Sequence, residues 1–101
     1  MSNVAAIDIG SNSVRLLVAD SSGRELVRLM QITRLGQGVD RTGVLDPAAI
    51  ERTAAVIEEY AAHVREQHAA RVRVTATSAA RDASNRAALF ARVRRALGTE
   101  P

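Results

Sequence analysis

The stretch that decides the fold is DIGSNSVRLLVAD, which runs from Asp8 to Asp20. An apolar run, Asn3–Ile9, leads into it, and a second apolar run, Ser13–Asp20, follows a short polar turn that contains Gly10. Apolar runs of this length on either side of a glycine-containing turn are typical of two neighbouring β-strands. Because so short a connection cannot cross over a sheet, we expect the two strands to be antiparallel.

The remaining sequence predicts two more strands and two helices. The predicted elements are a third strand over Glu25–Leu35, a helix from Pro47 to about Ala69 capped by Asp46, a fourth strand over Val72–Thr77, and a second helix over Asn85–Leu97 capped by Ser84 and ended by Gly98. The fourth strand follows a crossover helix, so we expect it to run parallel to one of the first three. The predicted order is therefore β-β-β-α-β-α in an α/β fold with a mixed sheet. A helix after a parallel strand normally leads to another strand, and we expect the fold to continue into a last strand beyond residue 101.

The composition limits the class of protein. The chain has 101 residues, 47% of them hydrophobic, which is enough for one small domain. It contains no cysteine, which excludes disulfides and thiolate metal sites. The N-terminal segment lacks the basic and apolar regions of a signal peptide, and no run approaches the roughly 20 apolar residues of a membrane span. We therefore expect a cytoplasmic protein that has no membrane partner.

Arginine supplies all fourteen basic side chains, and the formal net charge is +3. The guanidinium group binds phosphate through a fixed fork of N–H donors, so this composition favours anionic ligands. The arginines are scattered along the chain, and Tyr60 and Phe90 are the only aromatic residues, which leaves almost no side chains to stack on bases. We therefore expect no nucleic-acid partner.

The polar turn between the first two strands is a candidate phosphate-binding site. Gly10 permits a close backbone approach that a Cβ atom would block, and Ser11, Asn12 and Ser13 add side-chain donors beside the backbone amides. Asp8 lies at the end of the first strand, where its carboxylate could bind Mg²⁺ through water. The same residue types also form ordinary hairpin turns, so composition alone leaves both interpretations open. The turn is not a Walker A loop, since it has no lysine and a strand rather than a helix follows it.

Three segments in this order, AAIDIGSNSVRLLVAD (residues 5–20), RLGQGVDRTGVL (34–45) and VTATSAARDASN (74–85), resemble the exopolyphosphatase and guanosine pentaphosphate phosphohydrolase (Ppx/GppA) family. Each motif is modest alone, whereas the three together with a capped helix between the last two are specific. The resemblance implies a ribonuclease H-like fold, the fold of actin, sugar kinases and the Hsp70 ATPase. Residues 1–101 would then be the N-terminal portion of the first actin-like ATPase subdomain of a longer protein.

The resemblance also implies roles for individual residues. Phosphate binding is implied for Gly10, Ser11, Asn12, Ser13, Arg34 and Arg81, and metal binding for Asp8 with Mg²⁺ or Mn²⁺. Arg81 matches a family arginine that faces the polyphosphate channel, and Arg34 with the loop 36–38 matches the border of the same cleft. The alternative for Arg81 is a helix-start arginine that pairs with Asp82 or with solvent. The family's catalytic glutamate follows the next strand, so no catalytic residue is expected within this chain.

Functionally, the resemblance implies a phosphoanhydride hydrolase that releases terminal phosphate from inorganic polyphosphate or from guanosine pentaphosphate. This chain would carry part of the site and be inactive alone, and we expect the parent protein to be a homodimer. Two alternatives remain open: a non-catalytic module that senses phosphate chains or a guanosine alarmone, and a small-molecule kinase of the same superfamily. Those kinases tend to carry threonine after Asp-x-Gly, and the sequence Ser11-Asn12-Ser13 argues against them.

Overall fold

A mixed four-stranded sheet forms the centre of the described part of the chain. The computed structural model describes residues 2–101, apart from the side chain of Asp40. The strands are β1 (Asn3–Ile9), β2 (Ser13–Ala19), β3 (Glu25–Ile32) and β4 (Ala69–Ala76), in the spatial order β3-β2-β1-β4. The helices are α1 (Val39–Thr42), α2 (Pro47–Glu66), α3 (Ser78–Asp82) and α4 (Arg86–Leu97). No helix within residues 2–101 has the length and apolar character needed to cross a membrane.

The strand directions bring two strand ends to one edge of the sheet. β1 pairs with β2 antiparallel and with β4 parallel, and β2 pairs with β3 antiparallel, as predicted. In this register Ile9, the last residue of β1, lies opposite both Val14 and Ala76. The carboxyl ends of β1 and β4 therefore open on the same edge, which also carries the β1–β2 turn. Ligands of α/β sheets bind at this kind of edge.

One face of the sheet is buried against the helices. The buried residues of β1 alternate along the strand, Ala5, Ile7 and Ile9, as expected when a single face meets the core. The helix α2 packs on this face, and the hydroxyl of its buried Tyr60 donates a 2.9 Å hydrogen bond to the carbonyl oxygen of Val14. The helix α4 packs in turn on α2. Burial of each aliphatic side chain in this layer contributes about 1.5–3 kcal/mol and is the main favourable term.

The opposite face of the sheet is exposed within residues 2–101. Val4 on β1 and Met30 and Ile32 on β3 are 43%, 54% and 66% exposed. An open groove of about 570 Å³ crosses this face, lined mainly by small apolar side chains and by Arg71 and Arg73. Asp8 belongs to this face, because it alternates with the buried residues of β1. The core is thus one-sided in the described residues.

The end of β3 differs from the prediction. The strand stops at Ile32 rather than at Leu35, because the N–H groups of Thr33 and Arg34 donate to the carbonyl oxygen of Asn12 at 2.9 and 3.0 Å. These bonds turn the chain across the β1–β2 turn instead of extending the ladder. Leu35 is fully buried all the same, so the apolar pattern continued past the end of the strand.

The connection between α2 and β4 also differs from the prediction. The helix ends at Glu66 instead of near Ala69, and β4 spans Ala69–Ala76 instead of Val72–Thr77. His68 has φ of 52°, in the left-handed region that non-glycine residues seldom adopt. The chain turns at this single residue, and β4 therefore begins at Ala69, before the apolar run that starts at Val72.

The start of α4 corrects a further prediction. Asn85, not Ser84, is the N-cap residue, and its side chain makes no bond to the amides of the helix. The amide group of Asn85 binds the backbone of Leu45 instead, accepting from its N–H at 2.8 Å and donating to its carbonyl at 2.9 Å. The short helices α1 and α3 were not predicted, because four or five residues cannot show a periodic apolar pattern.

Candidate functional site

The turn between β1 and β2 depends on the absence of a side chain at Gly10. The N–H of Gly10 donates a 2.8 Å hydrogen bond to the carbonyl oxygen of Ser13, which closes the turn. A Cβ atom at Gly10 would lie 3.0 Å from the same oxygen, closer than nearly all real Cβ contacts. The amide of Gly10 is therefore used within the turn and is not free for an anion. Its contribution to the candidate site is the shape of the backbone.

The apex of the turn is fixed by the chain that follows β3. The carbonyl oxygen of Ser11 accepts a 2.9 Å hydrogen bond from the N–H of Gly36, and the carbonyl of Asn12 accepts the two bonds from Thr33 and Arg34. These contacts use the carbonyl groups of the apex. Among the described residues, the N–H groups of Ser11 and Asn12 find no acceptor. Two backbone donors therefore remain at the apex for a ligand or for water.

The end of β4 is joined to the same turn. The N–H of Thr77 donates to the carbonyl oxygen of Ile9 at 2.9 Å, and the hydroxyl groups of Thr77 and Ser11 lie 3.2 Å apart. The parallel pairing of β1 with β4 places these residues together although they are far apart in sequence. The hydroxyl of Ser11 is therefore oriented by β4 as well as by its own turn.

A polar cleft of about 410 Å³ opens beside these contacts. Its lining residues come from the β1–β2 turn, the loop after β3 and the helix α3: Ser11, Asn12, Arg34, Gly36, Gln37 and Ala79. The cleft combines the two free amides and the Ser11 hydroxyl with one guanidinium group. This donor set suits a phosphate group, because each donor can be aimed at a different phosphate oxygen.

Arg34 occupies a strained backbone position in this cleft. Its φ is 54°, in the left-handed region that costs a non-glycine residue about 1–2 kcal/mol. The hydrogen bond from its N–H to Asn12 holds it there. Strain of this kind concentrates at functional sites, since only a surrounding structure that fixes the residue can maintain it. The sequence predicted that Arg34 borders the cleft, and the structure brings it there.

Arg81 is not among the residues that line the cleft. It belongs to α3, two residues after Ala79, and its side chain is exposed. In the described part of the chain it forms no ion pair, so it does not pair with Asp82. The other half of the alternative, an arginine that faces solvent, agrees with its exposure. Its role in binding stays a prediction.

Asp8 is exposed at the end of β1, on the open face of the sheet. One carboxylate oxygen accepts a 3.1 Å hydrogen bond from the hydroxyl of Thr75, the residue opposite it on β4, and Arg15 lies opposite it on β2. Among the described side chains, which do not include that of Asp40, no group of three His, Cys, Asp or Glu could hold a metal ion. Mg²⁺ commonly takes one or two carboxylates together with water and phosphate oxygens. Asp8 could therefore supply one carboxylate ligand, through the oxygen that does not bind Thr75.

Two further residues, Thr77 and Asn85, have defined contacts in the structure. The hydroxyl of Thr77 lies within hydrogen-bond distance of the Ser11 hydroxyl. In the sequence, only its position at the end of a predicted strand pointed to a place near the site. Asn85, the last residue of the third motif, does not line the cleft. Its contact with Leu45 makes it instead a structural link between α4 and the chain before α2.

Comparison with known proteins supports the family that the motifs indicate. The Ppx/GppA phosphatase family model matches residues 14–100. Exopolyphosphatase 2 of Mycobacterium tuberculosis strain H37Rv is 47% identical over 105 residues, covering 97% of this chain and 33% of that protein. A putative exopolyphosphatase of Haemophilus influenzae is 44% identical over 52 residues, which cover 48% of this chain and 16% of that protein.

Solved structures show the same architecture. The Aquifex aeolicus member of the Ppx/GppA family has a TM-score of 0.88 and 39% identity, over 98% of this chain and 33% of that chain. An exopolyphosphatase from Cytophaga hutchinsonii has a TM-score of 0.89 and 26% identity, again over 98% of this chain and 33% of that one. The predicted actin-like α/β fold is thereby confirmed. This chain spans about a third of the length of these relatives, and with the family match over residues 14–100 it belongs to the Ppx/GppA phosphatase family.

Proposed function

We propose that the protein of which this chain is the N-terminal portion is a Mg²⁺-dependent phosphoanhydride hydrolase that releases terminal phosphate from inorganic polyphosphate. The observation that carries the proposal is the cleft in which the free amides of Ser11 and Asn12 meet the guanidinium group of Arg34. Relatives named exopolyphosphatases support polyphosphate as the substrate. Guanosine pentaphosphate ends in the same phosphoanhydride and is the second substrate to be tested.

The cleft residues and Arg81 would bind different parts of a phosphate chain. The amides of Ser11 and Asn12 bind the oxygens of the terminal phosphate, and the Ser11 hydroxyl, held by Thr77, adds a third donor. Arg34 neutralises charge on the same group, as cationic side chains do in phosphoryl transfer. Arg81, exposed on α3, binds phosphates further along the chain. Each contact is a charge-assisted hydrogen bond, which contributes about 1.5–3 kcal/mol.

The proposed metal ion would bind beside the cleft, since Asp8 is not one of the residues that line it. Asp8 would supply one carboxylate ligand to Mg²⁺ or Mn²⁺, with the other positions filled by water and phosphate oxygens. When bound, the ion neutralises negative charge on the phosphate chain. Thr75 keeps one oxygen of Asp8 engaged and so limits the orientations of the carboxylate.

Hydrolysis also needs a base that orients water for in-line attack. The described residues that line the cleft include no carboxylate or histidine. We therefore propose that the catalytic glutamate lies beyond residue 101, and that the 101-residue chain binds phosphate without hydrolysing it. A purely sensing protein would share this binding but would lack hydrolysis in its full length.

The test is phosphate release by the full-length protein, with polyphosphate and guanosine pentaphosphate as separate substrates and with Mg²⁺ present or chelated. We expect Mg²⁺-dependent release from polyphosphate, and KM raised about tenfold or more in Arg34→Gln, since one charge-assisted bond is lost. Arg24→Gln, which removes an exposed charge from the β2–β3 turn, is the matched control and should leave KM unchanged. Binding of both anions without any release would support the sensor instead.

A further inference from the structure

A second group of arginines lies between α2 and α4, away from the cleft at the strand ends. A groove of about 220 Å³ separates the two helices there, and its lining residues are Glu58, Ala61, Arg65, Arg92, Arg95 and Ala96. None of these residues lines the cleft that contains Ser11. The groove holds three guanidinium groups and one carboxylate, and the two alanines leave space between the helices.

Arg92 is fixed at one side of this groove by two glutamates of α2. Its Nη1 atom lies 2.7 Å from an oxygen of Glu51 and its Nη2 atom lies 3.0 Å from an oxygen of Glu58. These bonds raise the pKa of Arg92, since both carboxylates stabilise the charged form. Glu58, the one acidic residue that lines the groove, shares Arg92 with Glu51. Glu58 is therefore paired within the protein, and Arg92 is held by carboxylates and is not free for a ligand.

The other two arginines have no such partners. Arg65 and Arg95 are both exposed, and in the described part of the chain neither forms an ion pair. Arg65 lies in the last turn of α2 and Arg95 in the last turn of α4, where the helix dipole stabilises a cation.

The dipole does not account for their arrangement. His63 also lies in the last turn of α2 and Arg94 in the last turn of α4, so each helix end has another basic residue. Two uncompensated guanidinium groups that line one groove repel each other, and a shared anion removes that repulsion. Arg92 is already bonded to two glutamates, so Arg65 and Arg95 supply the free charge. Their attraction for an anion grows with the charge of that anion, which favours linked phosphates over a single phosphate.

We propose that the groove between α2 and α4 binds a multiply charged condensed phosphate, with Arg65 and Arg95 as its two ligands. Both residues offer planar N–H forks that match pairs of phosphate oxygens. The floor formed by Ala61 and Ala96 lets the anion approach without displacing side chains. The site is separate from the cleft and does not depend on the proposed hydrolysis.

Residue-resolved NMR of the 101-residue chain, titrated with tripolyphosphate at about 0.15 M salt, tests the proposal directly. We expect saturable shifts of the backbone amides of Ala61 and Ala96, with orthophosphate at equal ionic strength producing much smaller ones. The amides of Ser11 and Gly36 report the cleft in the same spectra, so the two sites are scored independently. Unmoved signals at Ala61 and Ala96 would overturn the proposed groove site, whatever happens at the cleft.

Paired double variants separate a built site from general attraction to a basic protein. The variant Arg65→Gln with Arg95→Gln should weaken the groove's affinity for tripolyphosphate about tenfold or more. The control, Arg24→Gln with Arg71→Gln, removes the same charge from exposed positions outside the groove and should change the affinity less than twofold. Equal weakening by the two pairs would show that the attraction is non-specific and would refute the proposal. All four positions are exposed, and thermal melting of each variant by circular dichroism checks that the fold is retained.

Discussion

The hydroxyl groups of Ser11 and Thr77 lie 3.2 Å apart, although 66 positions separate the two residues in sequence. This contact ties the β1–β2 turn to the end of β4. The N–H of Thr77 adds a second link through the carbonyl oxygen of Ile9. The candidate site is therefore assembled by the parallel pairing of β1 with β4 and not by the turn alone.

Thr77→Val tests whether that contact orients Ser11. The substitution removes the hydroxyl and keeps the shape of the side chain, so the free energy of unfolding should fall by about 0.5–1.5 kcal/mol. In the full-length protein, KM for polyphosphate should rise because Ser11 loses its fixed orientation. Urea unfolding and steady-state kinetics measure the two effects, and Thr77→Ser, which keeps the hydroxyl, should restore both. A Thr77→Val protein with unaltered KM would remove Thr77 from the site.

Gly10→Ala and Gly36→Ala form a matched pair of substitutions on either side of the cleft. At Gly10 the added Cβ atom meets the backbone oxygen of Ser13 at 3.0 Å, which cannot move without opening the turn. At Gly36 the nearest atom, also at 3.0 Å, is the Cβ of Ser11. We expect Gly10→Ala to lower the free energy of unfolding by about 1–3 kcal/mol and Gly36→Ala to lower it less.

Chemical denaturation of the two variants under identical conditions gives the comparison. Gly36→Ala should instead act on the cleft, because it moves Ser11 or the loop that carries Arg34. A Gly10→Ala protein as stable as the wild type would mean that the turn has another conformation available.

The residue types of the candidate site could be predicted from the sequence, whereas the hydrogen bonds of its backbone could not. The sequence indicated β1 with correct bounds, because Asn3–Ile9 is a short apolar run that ends at a polar turn. The resemblance to the family implied that the polar turn and Arg34 border one cleft, and both line the cleft of the structure. Which amides stay free depends on hydrogen-bond geometry, and no local pattern shows that the amide of Gly10 is used by Ser13.

The boundary errors have a related physical cause. Leu35 is apolar and fully buried, so hydropathy alone extended β3 to it. The ladder ends earlier because Thr33 and Arg34 bond to Asn12, a contact between residues about twenty positions apart. Likewise, the left-handed conformation of His68 lies between the end of α2 and the start of β4, and hydropathy does not indicate it.

Asp20 provides a pH test of the β2–β3 turn. Its carboxylate accepts hydrogen bonds from the hydroxyl of Ser22 and from the N–H groups of Ser22 and Arg24, and the Ser22 hydroxyl is the main cause of its lowered pKa. Because the pKa is lower in the folded state, this contribution to stability is present at neutral pH. It is lost as pH falls through the acid range towards the folded-state pKa.

NMR titration of the Asp20 carboxyl group checks this directly. Ser22→Ala should raise the pKa of Asp20 towards its ordinary value, and Asp20→Asn should reduce the acid sensitivity of unfolding measured between pH 7 and pH 3. The group is exposed, so the change in stability should be small. A Ser22→Ala protein in which Asp20 titrates as before would show that the backbone amides alone set the shift.

Arg34→Gly separates the function of the strained residue from its effect on stability. Glycine adopts a φ of 54° without the steric strain that arginine has there. However, glycine gives the unfolded chain more conformational entropy, which opposes folding. The free energy of unfolding should therefore stay level or rise by up to about 1 kcal/mol. The loss of the guanidinium group should raise KM for polyphosphate about tenfold or more in the full-length protein.

His68→Gly is the matched control, since His68 has the same kind of backbone conformation, with φ of 52°, and does not line the cleft. It should bring a similar change in stability with KM unaltered. If both glycine variants raised KM equally, the effect would come from the backbone, and Arg34 would have no part in binding. If Arg34→Gly were strongly destabilised, the arginine side chain would have a structural role that outweighs its strain. A stable Arg34→Gly protein that binds polyphosphate poorly would identify the strained conformation as one maintained for binding, because the fold itself does not need it.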